Sequence, residues 1–327
     1  MSLTRRITAT AALGIATMVL SACGGGGSDT EKVSFGYIGD YNGTSLLAIA
    51  EDQDLWEKHD LEVDAKVFTN GPLQIQALGT GDLDFGYIGP GAFWMPASGQ
   101  AKIVAINTVG NADRVIAQPG ITSMEQLRGK TVAVPEGTSG DMILELALEK
   151  AGMTKKDVKV VNMDPSTVVS AFASKKIDAA GFWYPAIDTI KAEVPDLVEL
   201  GKNSDFESEV SFPTAFVAGN KVVSDDAEKT EKTIAVLREA MEYRTAHMDE
   251  SVKLTADMLG VPVEQVEADA ANVEVLSVEQ VDKMTKDGTI DEWLTAMSDY
   301  FVDAGQLDSP VAPDSYYTGD LFTGAAK

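Results

Sequence analysis

Apolar and polar residues follow each other in residues 33–107 in an order that predicts alternating strands and helices. The short apolar runs Val33–Ile38, Leu61–Phe68 and Leu83–Ile88 have the length of strands, and the segments between them have the spacing of amphipathic helices. Alternation of this kind is typical of a mainly parallel sheet with helices on both faces. This part of the chain is therefore predicted to be an α/β unit.

Residues 131–201 repeat the order of residues 37–107 at a constant offset of 94 residues. The tripeptide Gly43-Thr44-Ser45 recurs as Gly137-Thr138-Ser139. Further matches at this offset are Val67 with Val161, Ala77 with Ala171 and Asp84 with Asp178. We interpret the two segments as copies of one unit, each with a Gly/Thr/Ser loop between a strand and a helix; because the identities are few, a chance match is the alternative. Such loops expose backbone N–H groups that suit a polar ligand.

The chain becomes mostly helical after Thr214. Asp225–His247 has the pattern of a long amphipathic helix, and most of the remainder to Phe301 is also predicted to be helical. The segment Ser277-Val278-Glu279-Gln280 is typical of a capping box, in which the first and last side chains bond each other's backbone N–H groups.

The N-terminus has the features of an export signal. Arg5 and Arg6 precede a short apolar run, and the run ends in Leu20-Ser21-Ala22-Cys23, which resembles the lipobox of bacterial lipoproteins. Residues 1–22 are therefore predicted to be a lipoprotein signal peptide, and residues 23–32 a flexible tether lipidated on Cys23. The alternative is an ordinary secretory signal with an incidental cysteine.

Composition excludes several classes of function. The chain has 327 residues and a formal net charge of −25, which disfavours a nucleic-acid partner because such partners need a basic surface. Cys23 is the only cysteine, so the mature body has no disulfide and no cysteine-based metal site. Its length suits two domains, each stabilised by a hydrophobic core.

Several segments carry a family resemblance. Gly81–Gly86, Leu127–Ser139 and Ala147–Gly152 resemble the nitrate/sulfonate/taurine group of substrate-binding proteins of ABC importers. The resemblance extends over roughly residues 33–220. It implies an α/β molecule with the two-lobed type II periplasmic-binding-protein fold. Each lobe is expected to hold a mainly parallel sheet flanked by helices, and a helical C-terminal extension is expected to pack on lobe one.

The resemblance also implies how the chain is divided into lobes and which partners it has. Lobe one is expected to comprise residues 33–112 and 216–327, and lobe two residues 113–215. In this group the lobes close on a small solute by hinge motion, and the closed form docks on an ABC permease driven by its ATPase. We therefore expect a monomer held at the extracytoplasmic face of the cell membrane by the lipid on Cys23, with no cofactor and no metal.

Ligand contacts are expected where the strands of both units end, because open α/β sheets bind ligands at the carboxyl ends of their strands. The candidate positions are Asp40, Tyr41, Asn42, Thr44, Gly89 and Pro90 in lobe one, Thr138, Ser139, Gly140, Trp183 and Tyr184 in lobe two, and Thr214 near the second crossing. Two alternatives stay open at this point. The hydroxyls could be plain helix caps, and the aromatic pair could belong to the core.

The solute class follows less directly. Taurine-binding members of the group resemble one another in a Pro-Thr-Phe-Asp-type segment whose aspartate meets the ligand's amino group, whereas this chain has Pro213-Thr214-Ala215-Phe216. The matched loops also contain no Lys or Arg, so an anion would depend on helix ends. A sulfonate or taurine-like solute is the first expectation. A small cationic or neutral nitrogen compound, such as an amine, a guanidinium-like ion or a pyrimidine, is the alternative.

An enzyme on the same fold is a further alternative. The group distantly resembles iron-dependent thiamine-pyrimidine synthases, which depend on histidine and on a cysteine cluster. This chain has only His59 and His247, and it shows no nucleophile–base pair or metal-ligand spacing. We therefore expect a binding protein without catalytic residues.

Overall fold

The structure is a computed structural model that describes residues 30–325. The predicted signal peptide and Cys23 lie outside the described residues. The strands, in chain order, are β1 (Glu31–Ile38), β2 (Leu61–Phe68), β3 (Phe85–Ile88), β4 (Lys102–Gly110), β5 (Asp113–Ala117), β6 (Thr131–Val134), β7 (Lys159–Asn162), β8 (Ala179–Trp183), β9 (Val198–Lys202), β10 (Pro213–Ala218) and β11 (Val273–Val275).

Helices surround these strands and dominate the C-terminal third. In chain order they are α1 (Tyr41–Asp52), α2 (Leu55–Lys58), α3 (Gly71–Thr80), α4 (Trp94–Ala97), α5 (Ser139–Lys150), α6 (Pro165–Ala173), α7 (Ala186–Glu193), α8 (Asn220–Asp225), α9 (Ala227–Ala246), α10 (Met248–Leu259), α11 (Val263–Ala270), α12 (Val278–Lys286), α13 (Thr289–Asp303) and α14 (Gly319–Gly324). Between residues 30 and 325, no helix is both long and apolar enough to cross a membrane.

The strands form two separate sheets, each with its own helices. Sheet A has the order β11-β4-β10-β3-β1-β2, and sheet B has the order β7-β6-β8-β5-β9. In sheet A, β1 runs parallel to β2 and β3, and in sheet B, β6 runs parallel to β7 and β8. The remaining strands pair antiparallel, so both sheets are mixed. We call the two halves domain A and domain B.

The parallel half of each sheet is the repeated unit that the sequence predicts. Asp84 and Asp178, which match at the offset of 94 residues, make the same contact in the two domains. A carboxylate oxygen of Asp84 accepts the Ser34 backbone N–H at 2.8 Å, and one of Asp178 accepts the Thr131 N–H at 2.9 Å. Each acid thus ties the start of the third strand to the first strand, which supports a real repeat.

The Gly/Thr/Ser segments, however, are not equivalent in structure. Helix α5 begins at Ser139, as expected, but α1 begins at Tyr41, so Gly43-Thr44-Ser45 lies within its first turns. The expectation of a Gly/Thr/Ser loop in the first copy is therefore wrong. The reason is Asp40, whose side chain accepts the Gly43 N–H at 2.7 Å and caps the helix earlier than the tripeptide would.

The C-terminal helices pack on domain A. Helices α9 and α10 lie against α1, and α14 lies against β4. The predicted capping box is confirmed at the start of α12, where the Ser277 and Gln280 side chains bond each other's backbone N–H groups. The core of sheet A beneath these helices is aromatic, and Phe35 stacks on Phe85 with ring centroids 5.8 Å apart.

The chain passes between the sheets twice. The first passage is short, between Gly110 at the end of β4 and Asp113 at the start of β5. The second passage ends at Pro213, the first residue of β10 in sheet A. The sequence predicts that lobe one resumes at residue 216, which is three residues later. Two separately formed sheets joined by two passages are the arrangement in which hinge motions typically occur.

Candidate functional site

A cavity of about 50 Å³ lies between the two domains. It sits at the carboxyl ends of β1, β3 and β8 and at the N-terminus of α5. The residues that line it are Ile38, Asp40, Asn42, Asn70, Gly71, Pro72, Tyr87, Gly89, Pro90, Ala92, Gly110 and Thr214 from domain A, and Ala112, Asp113, Thr138, Ser139, Trp183 and Tyr184 from the first passage and domain B. The position agrees with the rule for open α/β sheets.

The two domains touch closely at the edge of this cavity. The backbone of Gly91, in the turn after β3, lies directly against the Thr138 carbonyl and the Ser139 backbone nitrogen of domain B. A Cβ added at Gly91 would overlap these backbone atoms. Glycine therefore permits the close approach of the two domains seen here, which we call the closed arrangement.

The cavity brings together nine of the twelve residues expected to contact a ligand. They are Asp40, Asn42, Gly89, Pro90, Thr138, Ser139, Trp183, Tyr184 and Thr214. The other three lie elsewhere. The Tyr41 hydroxyl is 2.9 Å from the Ser251 hydroxyl in the core, the Thr44 hydroxyl donates to the Ile38 carbonyl at 3.1 Å, and Gly140 packs on the Gly181 backbone. Ligand contact itself stays a prediction for the nine.

Two carboxylates occupy the N-terminus of α1. Asp269, on α11, accepts the Tyr41 N–H at 2.6 Å, and Asp40 accepts the Gly43 N–H at 2.7 Å. These carboxylates accept backbone N–H groups that a bound anion would otherwise use, and their negative charge offsets the positive end of the helix dipole. The anion site that the sequence suggests for this helix is therefore already filled by the protein's own side chains.

Sequence reasoning missed Asp113, a buried acid on the cavity wall. Asn203 holds it by two bonds: the Asp113 N–H donates to the Asn203 side-chain oxygen at 2.7 Å, and the Asn203 amide donates to the Asp113 carboxylate at 2.8 Å. The signal that could have identified Asp113 is its position: it is an acid close before the apolar run Val115–Ala117 and next to a passage between domains. Asn70 and Tyr87 were missed as well, and no motif marks them.

Burial controls the protonation of both acids on the wall. Burial, followed by the nearby charge of Asp269, raises the pKa of Asp40 well above its ordinary value. Burial also raises the pKa of Asp113, against hydrogen bonds from the Ser139 and Asn203 side chains. The charge of Asp113 contributes to the raised pKa of Asp40, so the two carboxylates interact across the cavity.

No basic side chain lines the cavity wall formed by residues 30–325. Arg114, which follows Asp113 in sequence, lies off the wall; its guanidinium donates to Glu199 at 3.0 Å and to the Asp113 backbone carbonyl at 2.8 Å, and its charge opposes the rise in the pKa of Asp113. It also lies over the Tyr184 ring, 5.4 Å from the ring centroid. The wall therefore combines two buried acids, and no basic side chain of its own, with the aromatic side chains Trp183 and Tyr184.

Asp269, which accepts the Tyr41 N–H at the start of α1, should make stability depend on pH. Burial raises the pKa of Asp269 to about 6, from an ordinary value of 3.8. Because the folded-state pKa is the higher one, the stabilisation is complete below about pH 4 and is lost as the pH rises through 6. In thermal unfolding of the ligand-free protein, we expect the wild type to lose up to about 3 kcal/mol relative to Asp269→Asn across this window. Parallel stability curves for the two proteins would contradict the raised pKa.

Known proteins resemble this chain over most of its length. The sequence model of the NMT1/THI5-like family matches residues 43–251. A relative from Brucella abortus (strain 2308), named only as a candidate binding protein, is 57% identical over 296 residues, which cover 90% of this chain and 93% of the relative. A candidate aliphatic sulfonates-binding protein of Bacillus subtilis (strain 168) is 27% identical over 275 residues, with 79% and 80% coverage.

Solved structures share the fold at low sequence identity. The alkanesulfonate-binding protein of Xanthomonas axonopodis pv. citri, bound to MOPS, superposes with a TM-score of 0.68 at 20% identity and covers 89% of this chain and 99% of its own. The fold also occurs in a desulfurization enzyme, with a TM-score of 0.62, 14% identity, and coverage of 90% and 99%. These likenesses confirm the two-domain periplasmic-binding-protein architecture.

Proposed function

The chain belongs to the NMT1/THI5-like family, and we propose that it captures a small solute between its two domains and delivers it to the permease of an ABC importer. The cavity between the two domains supports capture. The names of the relatives support a binding role, since the Bacillus subtilis protein is a candidate sulfonate binder. The solute itself has to be argued from the cavity.

We propose that the solute is a small nitrogen compound that carries a positive charge. The observation that carries this proposal is the pair of buried acids, Asp40 and Asp113, on a wall without a basic side chain within the described residues. A buried carboxylate is costly unless a partner compensates it. A bound cation would compensate both acids, and the rings of Trp183 and Tyr184 would add cation–π attraction. A simple sulfonate would instead place its negative charge beside these acids.

A zwitterionic aminosulfonate is the second candidate, and one observation favours it. Thr138 and Ser139 line the cavity at the start of α5, a helix of 12 residues that has no side-chain N-cap. The first amides of such a helix can bind a sulfonate. The ammonium group of the same ligand would then face Asp40 and Asp113.

We propose binding without turnover. His59 is partly buried outside the cavity, and its Nε2 is 2.8 Å from the Glu239 carboxylate. His247 lies between α9 and α10, with its ring against Tyr243. Neither histidine lines the cavity, and no cysteine does so within residues 30–325, so the wall there lacks the Ser–His and Cys–His pairs that activate a nucleophile.

The proposed location is the outer face of the cell membrane. The lipobox-like segment that ends at Cys23 supports a lipid anchor, and the tether would leave the two domains free to open and close. We propose that the protein acts there as a monomer, because a single chain supplies both walls of the cavity.

A thermal-shift screen tests the solute class. At pH 7.5 we expect small amines and guanidinium-type cations to raise the unfolding temperature, and a cation at 100 times its Kd should stabilise the protein by about 2.7 kcal/mol. Taurine tests the zwitterion, and methanesulfonate, which has no ammonium group, is its matched control. Stabilisation by methanesulfonate but by none of the cations would contradict the proposal.

A further inference from the structure

Asn203, the first residue after β9, is a buried amide that holds the cavity acid Asp113. Strands β5 and β9 run antiparallel, and the pairing ends with Arg114 opposite Lys202, so Asp113 lies one position beyond it. The Asn203 side-chain oxygen accepts the Asp113 N–H at 2.7 Å, and the Asn203 NH₂ group donates to Oδ2 of the Asp113 carboxylate at 2.8 Å. The Asn203 side chain thus extends the pairing of the two strands by one position.

On its other side, Asp113 has Trp183 of β8 as its neighbour. The two residues lie directly opposite each other in the antiparallel pair of β5 and β8. Opposite residues of such a pair point to the same face of the sheet, with Cβ atoms about 4.5–5.5 Å apart. Both residues line the cavity. Domain B therefore places a carboxylate beside an aromatic ring, and both groups attract a cation.

The two bonds from Asn203 affect both the place and the charge of the carboxylate. One planar amide bonds the backbone N–H and the side chain of the same residue, which fixes how the Asp113 side chain is turned. The amide engages Oδ2 and does not engage Oδ1. An N–H group that donates to a carboxylate also stabilises its charged form, whereas burial opposes that form.

We infer that Asn203 is a positioning residue for the solute, because it holds the Asp113 carboxylate on the cavity wall in the charged form that a cation needs. The inference rests on the proposed function and adds a residue that lies behind the wall and not on it. Asn203 also lies where the second passage begins, whereas Asp113 lies where the first passage ends. The bonds between them therefore join the two passages beside the cavity.

Other charged groups also act on Asp113. Burial raises the pKa of Asp113, and the positive charge of Arg114 on the same strand lowers it. Burial also raises the pKa values of Asp40, at the start of α1, and Tyr87, on β3, and the charge of Asp113 adds to both shifts. None of these groups is altered when Asn203 is substituted. A changed pH profile in an Asn203 variant can therefore be assigned to the lost amide.

The pH dependence of cation binding in Asn203→Ala tests the inference. Methylguanidinium is the probe, because a guanidinium group keeps its charge from about pH 5 to about pH 9. By calorimetry, we expect the rise of affinity with pH to move up by about one pH unit or more, since the charged form of Asp113 has lost a donor. Below the pH at which the wild type reaches half of its full affinity, the variant should bind about tenfold more weakly.

Asn162→Ala is the matched control. Asn162, on β7 of domain B, holds Glu136 in the same way: the Glu136 N–H donates to its side-chain oxygen at 3.2 Å, and its NH₂ group donates to the Glu136 carboxylate at 2.9 Å. Glu136 is exposed and lies off the cavity wall. We expect this control to bind methylguanidinium like the wild type at every pH. If Asn203→Ala also keeps the wild-type profile, the inference is overturned.

A double-mutant cycle separates action through Asp113 from a general effect on the fold. In the Asp113→Asn background, Asn203→Ala should change the affinity by less than about twofold, because the carboxylate on which Asn203 acts is absent. The same loss in both backgrounds would show that Asn203 does not act through Asp113 and would overturn the inference.

Asn203→Asp replaces the alanine variant if that variant does not fold. It keeps the shape and an acceptor for the Asp113 N–H, and its added carboxylate should move the rise of affinity to higher pH, because a like charge disfavours ionisation of Asp113. An unmoved rise would contradict the role of Asn203. If the wild type binds methanesulfonate but neither methylguanidinium nor methylammonium, the proposed solute class is wrong and the inference fails with it.

Discussion

Gly91→Ala should abolish tight ligand binding while both domains stay folded. The turn that contains Gly91 belongs to domain A, and in the closed arrangement its backbone lies on the Thr138 carbonyl and the Ser139 nitrogen of domain B. A methyl group at this position would overlap backbone atoms that cannot rotate away. Closure would therefore stop short of the arrangement that encloses the ligand, and we expect a loss of affinity of roughly 100-fold or more.

Two measurements separate blocked closure from general damage. Calorimetry gives the affinity, and small-angle scattering at saturating ligand should show the wild type becoming more compact while Gly91→Ala does not. Gly79→Ala is the matched control, because Gly79 lies exposed on α3 with no atom within 4 Å of an added Cβ. If Gly91→Ala binds and compacts like the control, the Gly91 contact does not limit closure.

Asp113→Asn should cost a cationic ligand about 100-fold or more in affinity. The amide has the shape of the acid and can keep contacts with Asn203 and Ser139, so the change removes mainly the charge. Removing one partner of a buried charge pair typically costs several kcal/mol, because the other charge stays buried. Asp308→Asn is the control, since it makes the same change of net charge at an exposed position.

The pH dependence of binding provides an independent check on the same acid. Burial raises the pKa values of Asp40 and Asp113, and a cation binds their deprotonated forms. Affinity should therefore rise with pH until both raised pKa values have been passed, and the rise should be shallower in Asp113→Asn. A variant that binds the cation as tightly as the wild type, with the same pH profile, would remove Asp113 from the site.

Much of the fold follows from the sequence because its signals are local. Strands β2, β6 and β7 begin and end where the apolar pattern predicts. The antiparallel strands β5 and β10 are harder to predict, since they lie beside the passages between domains and pair with strands distant in sequence. Their pairing depends on how the two halves come together, which a single unit of the repeat does not encode.

The sequence predicts where the cavity lies but not which charged side chains line it. Strand ends and the Gly/Thr/Ser motif place Thr138 and Ser139 at the edge of the sheet where the cavity lies, because loops at strand ends gather at one edge of a sheet. Tyr41 was misplaced because the start of α1 is set by Asp40 and by Asp269, which is 228 residues away in the chain from Tyr41. Asp113 was missed for a related reason: only the approach of the two domains makes it a wall residue.

The matched acids Asp84 and Asp178 bear on how substitutions could change the ligand that this molecule prefers. Each acid fastens the third strand of its domain at the end remote from the cavity. At the opposite ends of the same strands, Gly89-Pro90 follows β3 and Trp183-Tyr184 completes and follows β8. The contacts that hold each strand in place and the residues that line the cavity thus lie at opposite ends of the strand. Substitutions at the cavity end can therefore change the ligand preference of one domain at a time without disturbing the strand pairing.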